Sequence, residues 1–303
     1  MPELPEVNLY LHALRPRILG ERIERTRIPS PSLLKTFDPA PAELHGRVVE
    51  TLARLGKRIV LGTEGGLFAV VYLMIAGRFQ WRKPGVPVPR KRGHAAFDFR
   101  RGTLLITEAS TRKRASLHLV RGEAALREHD PGGIEPLEAT AEAFAAAIRS
   151  ENRTLKRALT DPRIVSGIGN AHSDEILLRA RLSPVQLTRR LGDGEVERLR
   201  AATRSSLAEW SARLIREAGD DFPAKVTAFH PAMAAHGRYR EPCRRCGTPI
   251  QRIVYATRET NYCPTCQTGG RLLADRALSR LLRRDWPRSV EELEALRRPK
   301  KGD

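Results

Sequence analysis

Proline stands second in this chain, and the opening Met1-Pro2-Glu3-Leu4-Pro5-Glu6 places it directly behind the initiator methionine. Trimming that methionine, its usual fate before so small a residue, leaves Pro2 with a terminal secondary amine. Such an amine titrates near pH ~8, against ~10.4 for a lysine, so a useful fraction is unprotonated and nucleophilic at neutral pH. It can attack an electrophilic sugar carbon and end as a Schiff base. The adjacent Glu3 carboxyl can exchange protons at the same centre. Pro2 and Pro5 also read as the entry to a first helix, where proline at the first position sacrifices no hydrogen bond.

A second chemistry sits near the other end. All four cysteines fall between 243 and 266, as Cys243-Arg-Arg-Cys246, sixteen residues, then Cys263-Pro-Thr-Cys266. Two Cys-x2-Cys knuckles at this separation suit one tetrahedral zinc ion, each knuckle giving two thiolates. Disulfides are the alternative use, but a reducing cytosol and the lack of other cysteines favour zinc. Between the knuckles, residues 248–255 and 257–262 alternate like two strands of a hairpin, with Arg258 near its tip. A guanidinium held there is suited to phosphate.

The elements that must carry these groups divide along the chain. Lys and Arg number 54 against 35 Asp and Glu, a net charge of +19 in 303 residues, which points to a polyanionic partner, nucleic acid first. No apolar run approaches the ~20 residues needed to span a bilayer, and no secretion signal opens the chain, so a cytoplasmic protein is expected. Val7, Leu11 and Leu14 mark a first helix, and β-rich segments follow at Arg47–Leu52, Arg58–Leu61, Leu67–Ile75 and His94–Phe99. These predict an antiparallel β-sandwich domain over 1–125. Pro/Gly-rich residues 126–136 read as a linker. Helical spacing at roughly 139–150, 154–160, 171–181 and 194–218 makes 137–228 an α-helical domain, 229–268 the zinc-finger hairpin, and 269–303 a basic helical tail. Gly167-Ile-Gly-Asn170 precedes the third of these helices. Asn170 is a favourable N-cap there, and a glycine-presented helix N-terminus is an anion site.

Taken in order, Pro2-Glu3, Gly56-Lys57, Gly167-Ile-Gly-Asn170 before Ser173-Asp-Glu175, and a four-cysteine finger with Arg258 five residues ahead of Cys263 resemble the formamidopyrimidine-DNA glycosylase and endonuclease VIII family. The resemblance runs from Pro2 to about Gln267. It implies a multidomain α+β base-excision repair enzyme: a β-sandwich, a helix-two-turns-helix domain and a zinc finger that together hold damaged DNA, duplex by expectation. Pro2 would attack C1′ and expel the base, Glu3 would move the protons, and the imine would permit β- and δ-elimination, making a bifunctional glycosylase and abasic-site lyase. Lys57, Asn170 and Arg258 match the family's phosphate-binding positions, with Lys57 and Arg258 counted among the catalytic set. A monomer associated with the bacterial nucleoid is the corresponding expectation.

The departures from the family pattern define what else to look for. The segment that usually carries an intercalating methionine reads Leu73-Met-Ile-Ala-Gly77, so Ile75 takes the place of the apolar wedge. The Pro-Arg-Arg-Phe segment is replaced by Thr107-Glu-Ala-Ser-Thr-Arg-Lys-Arg-Ala-Ser-Leu117, leaving Arg112 or Arg114 as the candidate for filling the vacated stack. His172 replaces a tyrosine and reads as packing or surface. Residues 219–228 replace the region where 8-oxoguanine-type enzymes carry a capping loop. Two other readings stand beside the first: an abasic-site lyase or single-strand lesion enzyme with weak base removal, and a non-catalytic zinc-ribbon nucleic-acid-binding protein.

Overall fold

A computed structural model describes residues 1–255, 258–273 and 286–297. Two compact units emerge, one of residues 1–133 with 207–228, the other of 134–206 with the chain from 229 onward.

In the first unit, helix α1 (Leu4–Ile18) leads into eight strands: β1 (Ile23–Arg27), β2 (Val49–Leu55), β3 (Arg58–Thr63), β4 (Leu67–Tyr72), β5 (Gly77–Arg82), β6 (Gly93–Phe99), β7 (Gly102–Glu108) and β8 (Ser116–Arg121). They form two antiparallel four-stranded sheets, ordered β1-β6-β7-β5 and β2-β3-β4-β8. The period-2 alternation of strands decides which side chains meet. Ile59, Leu61, Leu67, Ala69 and Val71 join Phe79, Phe97, Leu104 and Ile106 of the other sheet in one core, which also takes Val7, Tyr10, Leu14 and Ile18 from α1. The alternate residues Val60, Phe68, Val70 and Val120 form a second cluster under Ala125 and Leu126 of the short helix α2 (Gly122–Arg127). Both faces of β4 are therefore covered, which is why its sequence reads as an unbroken apolar run.

Two turns of this unit matter for the site. Gly56 and Lys57 make the two-residue turn of the β2–β3 hairpin, closed by the Leu55–Arg58 pair. Gly56 sits at φ +61°, the left-handed value that a hairpin turn requires at its first position. The β4–β5 turn carries Met74 at φ +53° and leaves the Ile75 side chain 58% exposed. Gly77 closes it, donating its N–H to the Leu73 carbonyl at 2.9 Å. A Cβ on Gly77 would lie 2.2 Å from that same oxygen. A Gly77→Ala variant should lose about 1–3 kcal/mol of stability, read by urea unfolding, because backbone and not a flexible side chain must yield. A loss below a few tenths would contradict the tightness of this turn.

The second unit is helical, with α3 (Ala141–Arg149), α4 (Leu155–Thr160), α5 (Asn170–Ala180) and the first part of α6 (Asp193–Ala218). It continues as strands β9 (Gln251–Tyr255) and β10 (Arg258–Tyr262), paired antiparallel, and the short helix α7 (Pro264–Thr268). The end of α6 and the segment after it belong to the first unit. Val226 is buried in the sandwich core, Phe222 lies 6.2 Å from the Tyr10 ring, and Arg17 donates to the Asp220 carbonyl at 2.6 Å. Residues 219–228 are thus anchored to α1. No described helix is long and apolar enough to cross a membrane. The leucine- and arginine-rich stretch expected as a helical tail lies, from residue 274 to 285, outside the described residues.

Candidate active site and zinc-finger nucleic-acid interface

The chain begins inside the sandwich unit. Pro2 is buried, and Glu3 and Glu6 are only 3% and 2% exposed. The Glu6 carboxylate accepts the Glu3 backbone N–H at 2.8 Å, which caps α1 and fixes the backbone on which Pro2 and Glu3 sit. The terminal amine at Met1 has its pKa lowered from 8.0, chiefly by burial, with Arg78 and Lys57 lowering it further and Glu3 and Glu6 opposing them. Two carboxylates and two cations therefore surround the segment where the Pro2 nitrogen lies. Burial and nearby cations of this kind favour the neutral form of an amine, and nearby carboxylates oppose it.

Lys57, in the β2–β3 turn, acts on this cluster through its charge. Arg78 was not anticipated. It stands on β5 immediately after the Ile75 turn and donates to the Ile75 carbonyl at 3.0 Å and the Gly77 carbonyl at 2.6 Å. One side chain thus braces the turn that presents Ile75 and bears on the terminal amine. Nothing in its spacing distinguished it from the other arginines. The sign of its electrostatic effect gives a test: an Arg78→Gln variant should raise the amine's pKa and move the rising limb of the pH–rate profile to higher pH. Arg78→Lys should restore the profile. A limb that stays in place would show that the guanidinium does not act on the amine.

Arg112 and Arg114 lie exposed in the β7–β8 connection. The base of that loop is held by the buried Glu108 carboxylate, which accepts the Arg114 and Ala115 N–H groups at 3.0 and 3.3 Å. His94 approaches Glu108 at 3.4 Å, and burial lowers the histidine's pKa. The loop is anchored at its root and basic at its tip.

In the second unit the four cysteine sulfurs lie within 4.8 Å of one another. Tetrahedral Zn–S bonds of about 2.3 Å place sulfurs about 3.8 Å apart, so the cluster fits one zinc ion. Cys246 is 3.4 Å from Cys263 and 3.5 Å from Cys266, well beyond a disulfide bond, and all four thiols are free. Burial pushes the Cys263 and Cys266 thiols up, and a bound cation offsets the cost of holding thiolates together. The finger holds one structural zinc.

Helix α5 positions this finger. The Glu175 carboxylate accepts the N–H groups of Ala234, Ala235 and His236 at 2.8–3.0 Å. Asp174, fully buried, bonds His236 Nδ1 at 2.8 Å and pairs with Lys156 at 2.5 Å. At the other end of the finger, Gln267 donates to the Leu182 carbonyl at 2.9 Å. Asn170 differs from the capping role read from the sequence. Gly169 is the N-cap, Asn170 is the first helical residue, and its Nδ2 donates to the Glu259 carbonyl at 2.9 Å. Because Glu259 follows Arg258 in β10, that bond joins the helix N-terminus to the strand position of Arg258. His172 is wholly buried, a packing residue.

A terminal-amine cluster on a β-sandwich, together with a zinc-stapled hairpin on a helical unit, defines a class of DNA-processing enzyme. Three family models match in chain order: the formamidopyrimidine-DNA glycosylase N-terminal domain over 1–117, that enzyme's H2TH domain over 133–212, and the zinc finger found in FPG and IleRS over 240–269. The formamidopyrimidine-DNA glycosylase of Thermus thermophilus is 34% identical over 288 residues, covering 89% of this chain and all of its own length. That of Symbiobacterium thermophilum is 33% identical, covering 88% and 89%. Among solved structures, the Thermus thermophilus MutM (Fpg) protein superposes with a TM-score of 0.72 at 31% identity, over 88% of this chain and 98% of its own. The Lactococcus lactis Fpg in complex with DNA containing an abasic site superposes at 0.77 with 25% identity, over 88% and 99%. The chain belongs to the formamidopyrimidine-DNA glycosylase family, whose members are base-excision repair DNA glycosylases with abasic-site lyase activity.

Proposed function

We propose that this chain removes damaged bases from DNA through Pro2 and then cuts the strand at the abasic site. The observation that carries the reading is the buried amino terminus, flanked by Glu3 and Glu6 and by Lys57 and Arg78. The neutral Pro2 nitrogen attacks C1′ as the glycosidic bond breaks, the departing base leaves with a proton supplied by Glu3, and the C1′–O4′ bond then opens, O4′ taking the proton that the Pro2 nitrogen sheds. The resulting iminium makes the C2′ hydrogen acidic. Its removal expels the 3′ phosphate and a second elimination expels the 5′ phosphate. Water then releases the sugar remnant and restores the amine.

Lys57, Asn170 and Arg258 hold phosphates of the lesion strand, a cation, a helix N-terminus and a strand-tip arginine respectively. Ile75 enters the stack vacated by the flipped nucleotide, and Arg112 fills beside it, in line with the exposure of both. In this reading residues 1–125 carry the chemistry, 137–228 and 229–268 the DNA contacts, and the protein acts as a monomer on chromosomal DNA in the cytoplasm.

Duplexes carrying an oxidised base or a preformed abasic site test the assignment. Expected are base release from the first and, from both, a one-nucleotide gap flanked by phosphates. Cleavage of the abasic strand without base release would favour the lyase reading. Binding without either would leave a zinc-ribbon DNA-binding protein.

A further inference from the structure

The helical unit has a second basic site that the reading above leaves unused. An open cleft is lined by Arg179, Arg181, Arg198 and Arg245 over a floor that includes Ala201 and Ser205. Among the described residues no carboxylate lines it, Glu195 lies 3.9 Å from Arg198, and all four arginines are exposed. They come from three elements: Arg179 and Arg181 from the end of α5, Arg198 from the second turn of α6, and Arg245 from the first zinc knuckle.

The helix dipole accounts for only half of this arrangement. Cations at the carboxyl end of α5 are favoured, but Arg198 lies in the second turn of α6, beyond the reach of that helix's dipole. Arg181 also occupies a left-handed position, φ +55°, that costs an L-residue about 1 kcal/mol and that glycine fills more cheaply. Capping does not ask for an arginine there. Arg179 is held in place by a 2.8 Å bond to Ser205, and Arg198, Ala201, Ala202 and Ser205 share one face of α6 by their spacing. Four guanidinium forks brought together, against Glu195 at 3.9 Å from Arg198, leave an excess of positive charge that matches successive phosphates. The cleft lies at the opposite end of α5 from Asn170, about 15 Å along an 11-residue helix.

We infer that this cleft binds a second segment of phosphodiester backbone, separate from the lesion strand, so that one molecule can hold two DNA segments. The inference rests on the reading of the chain as a DNA glycosylase.

The test uses the full chain, its lesion site first saturated with a short duplex bearing a non-cleavable abasic analogue, and then a labelled undamaged duplex. Wild type should capture the second duplex in a salt-sensitive ternary complex. An Arg181→Gly/Arg198→Gln variant should capture it about tenfold more weakly, with the slope of log affinity on log salt reduced by about two. Its melting temperature should not fall, because the glycine relieves a left-handed residue. Borohydride trapping on the short abasic duplex should match wild type within about twofold. Equal capture of the second duplex by both proteins would overturn the inference, as would no capture by wild type. Variant-sensitive binding of polyglutamate, with capture of the second duplex unaffected, would assign the cleft to an acidic protein instead. Absent trapping in wild type would strike the glycosylase reading itself, a separate result.

Discussion

Blocking the Pro2 amine with one extra residue should reduce strand cleavage to background, and Pro2→Gly should lower it by at least about a hundredfold, ~2.7 kcal/mol of transition-state stabilisation. The physical reason is local. In the proposed reading, burial, Lys57 and Arg78 favour a neutral amine and Glu3 carries its protons, as burial and these cations lower the pKa of the Met1 amino group at the start of α1. An added residue removes the nucleophile, while glycine keeps an amine but loses the ring that constrains it. DNA affinity should change little in either variant, since Lys57, Asn170 and Arg258, the residues proposed to hold phosphates, are unaltered. Gel assays of cleavage beside anisotropy titrations separate the two effects. Cleavage that survives blocking would place the nucleophile on another residue.

Cys263→Ser should be the most damaging change in the helical unit. Cys263 is fully buried against Leu178, Ala235, Cys243 and Ile250, and its sulfur is central to the metal cluster. Structural zinc contributes about 10–16 kcal/mol to the folding of isolated finger peptides, and a lone two-stranded hairpin is marginal in water. Without the metal, β9 and β10 lose the staple that holds Arg258 and Glu259 to Asn170. Zinc content should fall from one per chain to none, and DNA binding should weaken by about a hundredfold, as for the loss of two or more phosphate contacts. Metal analysis and anisotropy read the two quantities. Undiminished binding in a zinc-free variant would remove the finger from the DNA contact.

Much of this was legible in the sequence because it is carried by short spacings. Two Cys-x2-Cys pairs declare a thiolate site wherever they occur, and alternation between them gives the hairpin. Helical spacing found α3 to α6 to within a residue or two. Gly56-Lys57 stood out only as part of the family pattern, and its place in the β2–β3 turn comes from the structure. What escaped depends on contacts between distant residues. Arg78 acts on the amino terminus only because β5 lies where it does, and an arginine on a strand has no local signature. Glu175 looked like first-turn helix chemistry, yet its carboxylate organises residues 234–236. The return of 219–228 to the sandwich core leaves no periodic trace, since Phe222 and Val226 are single apolar residues in a polar stretch. Asn170 carried the right composition for a cap and serves another partner, Glu259, whose position the sequence alone does not fix.

The central claim is that the Pro2 nitrogen forms the covalent intermediate. The most direct measurement is to incubate methionine-processed protein with abasic-site DNA and borohydride, digest the adduct with protease and nuclease, and locate the sugar remnant by mass spectrometry. The account predicts the added mass on the amino-terminal peptide, at Pro2, and its absence when the amine is blocked. An adduct on Lys57 or any other lysine, or no adduct from a protein that still cleaves abasic DNA, would contradict it.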